Sequence, residues 1–96
     1  MATYIALITM TEHGEENITQ TVNRADEFAQ AASQVGVTVK DVYWTLGSLD
    51  GVLILDAPDE QTAAAALISL GSKGNVRTQT LRAFDRAEMQ GVLGKV

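Results

Sequence analysis

The sequence of 96 residues predicts an α+β fold of the ferredoxin-like type, a single domain over residues 1–96. Its chain order is βαββαβ with an extra C-terminal helix, and its four strands form an antiparallel sheet. Three observations predict this fold. Residues 43–55 have a β-hairpin pattern, in which Gly47 and Gly51 can adopt positive φ at the turn. Apolar residues at helical spacing follow both the first strand and the hairpin. The first and third strands are apolar on both sides, as central strands are.

The first strand is predicted over Thr3–Met10, and a loop follows over Thr11–Gly14. Apolar residues lie on both sides of this strand: Tyr4, Ala6, Ile8 and Met10 on one, Ile5 and Leu7 on the other. The residues from Ile18 to Val35 place apolar side chains three and four positions apart, which predicts a helix with one apolar stripe. Thr21 is a possible kink or a new N-cap within that helix. Gly36 is placed to end it in a left-handed conformation.

The hairpin supplies the next two strands. Val37–Gly47 is polar near its start, at Thr38, Lys40 and Asp41, so we expect an edge strand with access to water. Gly51–Ala57 contains four consecutive apolar residues and is expected to be central, covered on both faces.

A second helix is predicted to start at Pro58-Asp59-Glu60, because proline suits the first turn and acidic residues favour the positive end of the helix dipole. Alanines and leucines continue this helix to Leu70, and Gly71 and Gly74 are expected to stop it. Asn75–Phe84 alternates polar and apolar residues and is predicted to be the second edge strand.

Asp85 and Glu88 form a capping-box pattern, which predicts a short C-terminal helix ending near Leu93. Right-handed βαβ crossovers combined with the hairpin place strands one and three in the centre and strands two and four at the edges.

Two helices can cover only one face of such a sheet. The other face, four strands of about eight residues, spans roughly 500 Å², the upper limit of an exposed apolar patch on a monomer. We therefore expect it to pack against a second copy of the chain, burying on the order of 1,000 Å². The alternative is that the C-terminal helix folds back over this face with Met89, Val92 and Leu93.

Composition excludes several kinds of function. The net charge of −5 leaves too few clustered cations for a nucleic-acid interface. The longest apolar run is too short for a membrane span and no signal peptide is apparent, so a cytoplasmic protein is expected. The chain has no cysteine and one histidine, so neither disulfides nor a metal site are predicted.

The chain resembles the GYD-domain family, a set of small bacterial and archaeal proteins. The resemblance runs from Thr3 to about Phe84 and is carried by four segments: residues 43–47, 50–52, 57–59 and 71–84. It implies a dimeric α+β barrel, in which two ferredoxin-like sheets face each other. The Gly-Tyr-Asp turn that names the family is Ser48-Leu49-Asp50 here, so no tyrosine hydroxyl can act at Leu49.

Four polar residues are candidates for chemistry. His13 could act as a general base or a haem ligand, and otherwise is a solvated loop residue. Asp50 could line a pocket mouth, although closing its own turn is the favoured interpretation. Arg77 and Arg82 lie five positions apart and should point to opposite faces of their strand, so at most one can enter a space between sheets. An ion pair with an acidic residue is favoured over an anion clamp for either.

Two functions remain open. The favoured one is a non-catalytic homo-oligomeric module, either purely for assembly or with a small ligand between its sheets, for which Tyr4, Trp44 and Arg77 are the candidate lining. Tyr43 and Trp44 should face opposite ways, one toward the helices and the other toward the interface. The alternative, by fold analogy alone, is a small enzyme such as a cofactor-independent oxygenase, an isomerase or a haem protein. The sequence requires no cofactor.

Overall fold

A computed structural model describes residues 1–96 and has two layers, a four-stranded antiparallel sheet with helices on one face. The strands are β1 (Ala2–Met10), β2 (Thr38–Trp44), β3 (Gly51–Ala57) and β4 (Val76–Ala83). The helices are α1 (Glu12–Glu16), α2 (Thr21–Gln34), α3 (Glu60–Ser72) and α4 (Arg86–Leu93), and a 3₁₀ turn covers Ile18–Gln20. No helix combines the length and the apolar content that crossing a bilayer requires.

The strand order is β2-β3-β1-β4, so the predicted ferredoxin-like fold with β1 and β3 in the centre is confirmed. Ile5 of β1 lies between Ile54 of β3 and Leu81 of β4, and Tyr4 lies between Leu55 and Arg82. Side chains alternate between the two faces of a strand. This register therefore assigns even-numbered β1 residues to one face and odd-numbered ones to the other.

The core lies between the sheet and the helices. Its sheet residues are Tyr4, Ala6, Ile8, Leu53, Leu55 and Ala57, and its helix residues are Phe28, Ala32, Ala63, Ala66 and Leu67. α2 packs on β2, while α3 packs on β3 and β4. The even-numbered residues of β1 therefore lie on the face that the helices cover.

The segment predicted as a loop after β1 instead contains α1. The Thr11 hydroxyl accepts a hydrogen bond from the Gly14 amide at 3.1 Å and donates one to the carbonyl of Gly74 at 2.6 Å. The Thr11 amide also donates to the Asn75 carbonyl at 3.0 Å. Contacts with the chain before β4 therefore hold this short helix, and such long-range contacts leave no periodic pattern in the sequence.

The boundaries of α2 and α3 differ slightly from the predicted ones. The predicted break at Thr21 is the point where the 3₁₀ turn gives way to α2, and Gly36, with φ of 85°, ends that helix as expected. α3 begins after Asp59, whose carboxylate accepts a hydrogen bond from the Thr62 amide at 2.7 Å. It continues through Gly71 to Ser72, and Gly74 follows with φ of 83°.

The hydrogen bond from the Thr62 amide lowers the pKa of Asp59 because it stabilises the charged carboxylate. A lowered pKa in the folded state favours folding above the ordinary aspartate pKa, and this contribution is lost as the pH falls through the lowered value. The cap of α3 is therefore weakened only in acid.

The hairpin turn needs both of its predicted glycines, for different reasons. Gly47 has φ of 106°, the left-handed region that favours glycine. Gly51 does not have positive φ, but a Cβ there would lie 2.9 Å from the carbonyl oxygen of Tyr43. The Thr45 amide donates to the Asp50 carbonyl at 3.0 Å and closes the hairpin.

The face opposite the helices is uncovered, and we call it the open face. Its apolar centre consists of Ile5, Leu7, Val52, Ile54 and Leu81. α4 has the predicted capping box, but it makes no extended contact with any strand, and Leu93 is 57% exposed. The alternative in which the C-terminal helix covers this face is therefore wrong for the single chain.

Gly14→Ala should lower the free energy of unfolding by about 1–3 kcal/mol, because the added methyl group would overlap the Asn75 carbonyl and force the backbone apart. Urea denaturation measures this change. Gly91→Ala is the matched control, since nothing lies within 4 Å of a Cβ there. Equal effects of the two substitutions would contradict the close approach of α1 to residue 75.

Candidate functional site

A cavity lies between the helices and the sheet, at the end where the hairpin turns. It has a volume of about 170 Å³, and we call it the hairpin cavity. It exists because α2 and α3 pack on different strands and do not pack extensively on each other. Its walls are mostly apolar and include Ile8, Phe28, Val42, Leu53, Leu70 and Val76. Such a space, which opens to solvent on one side, can shield part of an apolar group from water.

Trp44 lies at this cavity on the helix-covered side of β2. Its indole Nε1 donates a hydrogen bond to the Thr21 hydroxyl at 3.0 Å, which ties the hairpin to the start of α2. Tyr43 lies on the open face beside Val52. The prediction that these two aromatic residues face opposite ways is therefore confirmed, and Trp44 is the one on the helix side.

Asp50 is half-buried, and its backbone carbonyl closes the hairpin turn, as the favoured interpretation expects. Its carboxylate lies at the same cavity, as in the alternative interpretation, and Oδ2 accepts a hydrogen bond from the Met10 amide at 2.7 Å. The Asp50 amide also donates to the carbonyl of Ile8 at 2.8 Å. These two bonds fasten the hairpin to the end of β1, and they leave the second carboxylate oxygen, Oδ1, free of protein partners.

Arg24 is a half-buried residue of the cavity that the sequence analysis missed. Its guanidinium donates to the carbonyls of Asn17 at 2.8 Å and Gly14 at 3.4 Å, and it lies 4.0 Å from the Met10 sulfur. It forms no ion pair. Helical spacing could have identified Arg24, because it lies three positions after Thr21 and four positions before Phe28, on the inner side of α2.

The structure does not bring the other candidate residues to this cavity. Tyr4 is 4% exposed in the core on the helix-covered face, with Arg82 5.6 Å above its ring, so it cannot line a space between two open faces. Its hydroxyl has no hydrogen-bond partner. His13 is exposed on α1 and does not line the cavity. Trp44 does line the hairpin cavity, but it lies on the helix side and therefore cannot line a space between two open faces.

Arg77 and Arg82 lie on opposite faces of β4, as the spacing predicts. Arg77 is exposed on the open face beside Thr9 and forms no ion pair, so the favoured expectation for it was wrong. Arg82 is paired with Glu88 of α4 at 3.3 Å. The molecule's other ion pair joins Lys40 and Asp56 at 3.8 Å. No group of three metal-ligating side chains forms in the structure.

Comparisons with known proteins agree with this architecture. The family model of the GYD domain matches residues 4–93. A Thermus thermophilus protein named glutamine synthetase and cystathionine beta-lyase binding protein is 37% identical over 90 residues, which cover 93% of this chain and 95% of the relative. The crystal structure of TTHA0845 from Thermus thermophilus superposes with a TM-score of 0.58 at 25% identity, covering 88% of this chain and 95% of that one.

Asp50→Ala should lower the free energy of unfolding by about 1–3 kcal/mol, because the Met10 amide loses its partner in a half-buried position. Asp50→Asn should cost less, since its amide oxygen can accept the same bond. Urea denaturation distinguishes the two. Asp41→Ala, at an exposed position of β2, is the control. A loss for Asp50→Ala no larger than for Asp41→Ala would show that this bond does not hold the hairpin.

Proposed function

This chain belongs to the GYD domain family, and from that premise we propose that it is a non-catalytic assembly module. In this proposal two copies pair through their open faces, and the resulting homodimer binds enzyme subunits. The observation that carries the proposal is the apolar centre of the open face, which nothing in the chain covers.

The register explains why this face favours a second copy. Ile5, Ile54 and Leu81 form one row across three adjacent strands, and Leu7 and Val52 extend the patch by one further row. Leu81 is 42% exposed although it belongs to a sheet. Covering such a row with an identical row removes apolar surface from water on both sides, which contributes about 25 cal/mol per Å².

The area of the two open faces is small for a specific interface, so we include α4 in it. Two sheet faces alone bury on the order of 1,000 Å², the lower end for a specific interface. α4 contributes a further apolar stripe, formed by Met89, Val92 and Leu93, all of them exposed in the single chain. A helix of eight residues is marginal without tertiary packing, yet α4 has a complete capping box. In the homodimer, its stripe would pack on the second copy.

Binding to enzymes is inferred from the relative. That protein is named for binding two different enzymes, and it matches this chain over nearly the full length of both. Its name describes contacts with other proteins and not a reaction, which supports a role in assembly. We extend the class of partner, an enzyme subunit, to this chain.

Ile54→Lys should convert the homodimer to a monomer, because it places a charge in the centre of the open face. Light scattering after size exclusion measures the mass against 10.3 kDa for one chain. Ile68→Lys is the matched control, since Ile68 is 71% exposed on α3 and lies outside this face.

Leu81→Lys at the edge of the face gives a second test if Ile54→Lys fails to fold, and circular dichroism reports folding. A wild-type chain that stays monomeric at micromolar concentration would refute the pairing. A dimer that survives both lysine substitutions on the open face would assign the interface to another surface.

The first partners to test are purified glutamine synthetase and cystathionine beta-lyase from the organism that encodes this chain. Biolayer interferometry with the immobilised chain should detect at least one of them at micromolar affinity or tighter, about −8 kcal/mol. An unrelated enzyme of similar size is the control. If neither enzyme binds above that control, the extension of the relative's partners to this chain fails, while the pairing of open faces stands on its own measurement.

A further inference from the structure

Two oppositely charged side chains of the hairpin cavity, Arg24 and Asp50, both contact Met10. The Met10 amide donates to Asp50, and the Met10 sulfur lies 4.0 Å from the Arg24 guanidinium. Both charged side chains are half-buried and line the cavity. Neither forms an ion pair, because the two ion pairs of the molecule use other residues.

Both groups retain the capacity to bind a ligand. Asp50 uses Oδ2 for the Met10 amide, which leaves Oδ1 as an acceptor. The Arg24 guanidinium has five N–H donors and contacts only two carbonyls and a sulfur within the protein. Its backbone contacts also fix the position of the group. A carboxylate can thus bind Arg24 while an ammonium group binds Asp50, both through charge-assisted hydrogen bonds.

The interior behind these two charges suits an apolar group. Its volume of about 170 Å³ is close to that of an apolar cavity of ~150 Å³ that holds a benzene molecule. Phe28, Val42 and Leu53 form part of the wall, and Trp44 lies at the same cavity. A branched aliphatic or phenyl side chain therefore fits this space.

The charge balance of the lining narrows the class of ligand. Arg24 and Lys73 are the cations of the lining, and Glu27 and Asp50 are its anions, so their formal charges cancel. A phosphate or another multiply charged anion would gain from the two cations but would be repelled by the two carboxylates. A ligand with no net charge and one charge of each sign fits best.

We propose that the hairpin cavity binds an apolar α-amino acid. Its carboxylate pairs with Arg24, its ammonium group pairs with Asp50, and its side chain enters the space between α2 and the sheet. This site lies between the helices and the sheet, so its occupation does not require the pairing of two copies.

Trp44 provides a direct readout because it is the only tryptophan of the chain. Titration with L-phenylalanine or L-leucine should change its fluorescence, and isothermal titration calorimetry should give a dissociation constant of about 1 mM or lower. Phenethylamine lacks the carboxylate, 3-phenylpropanoate lacks the ammonium group, and glycine lacks the side chain. Each should bind at least about tenfold more weakly, since each leaves one of the three contacts unmade.

Two variants test the charged contacts. Asp50→Asn keeps an acceptor for the Met10 amide but removes the negative charge, and Arg24→Gln removes the positive charge. Each should raise the dissociation constant for L-phenylalanine about tenfold or more. Asp41→Asn and Arg77→Gln make the same changes of charge outside the cavity and should leave the constant unchanged.

If Arg24→Gln fails to fold, Arg24→Lys retains the charge and should bind within a few-fold of the wild type. Absence of calorimetric binding of both amino acids up to about 10 mM would overturn the proposal. Equal binding by the analogue that lacks a carboxylate or an ammonium group would also overturn it, as would unchanged affinity in Asp50→Asn. The oligomeric state, measured separately, decides the pairing of open faces whatever the result here.

Discussion

The structure depends on a mismatch between a sheet that is apolar on both faces and a chain that can cover only one of them. Alternation along β3 sends Leu53 and Leu55 to the helices and Val52 and Ile54 to the open face. α2 and α3 cover the first set. The open face is the surface that this mismatch leaves, and the assembly proposed for the chain follows from it.

The hairpin cavity has the same cause, because two helices are too few to cover the whole inner face of the sheet. α2 packs on β2, and α3 packs on β3 and β4, so the helix layer has a gap over the hairpin end. Hydrogen bonds from Trp44 to Thr21 and from Met10 to Asp50 hold the hairpin against this gap. The molecule thus has two separate surfaces: the apolar open face and a concave one with a charged rim.

Local patterns were sufficient to predict the fold. Alternation identified the central strands, the Asp85–Glu88 capping box located α4, and Gly36 marked the end of α2. α1 was missed because Thr11 and Gly14 are held by contacts with the segment before β4, more than 60 residues away. Contacts between residues so distant along the chain have no local signature.

The site was predictable only in part, for a similar reason. Alternation showed that Tyr43 and Trp44 face opposite ways, but it does not say which face the helices cover. Tyr4 was therefore assigned to the wrong face. The partner of Asp50 is Met10, 40 positions earlier in the chain, and no turn rule identifies it. Arg24 was the one miss that helical spacing could have prevented.

Sedimentation equilibrium of the unmodified chain, from about 0.1 to 100 µM, tests most directly whether the open face pairs with a second copy. We predict a reversible equilibrium that reaches twice the chain mass of 10.3 kDa within this range. A single species of one chain mass across the whole range would contradict it, because the apolar centre of the sheet would then be stable in contact with water.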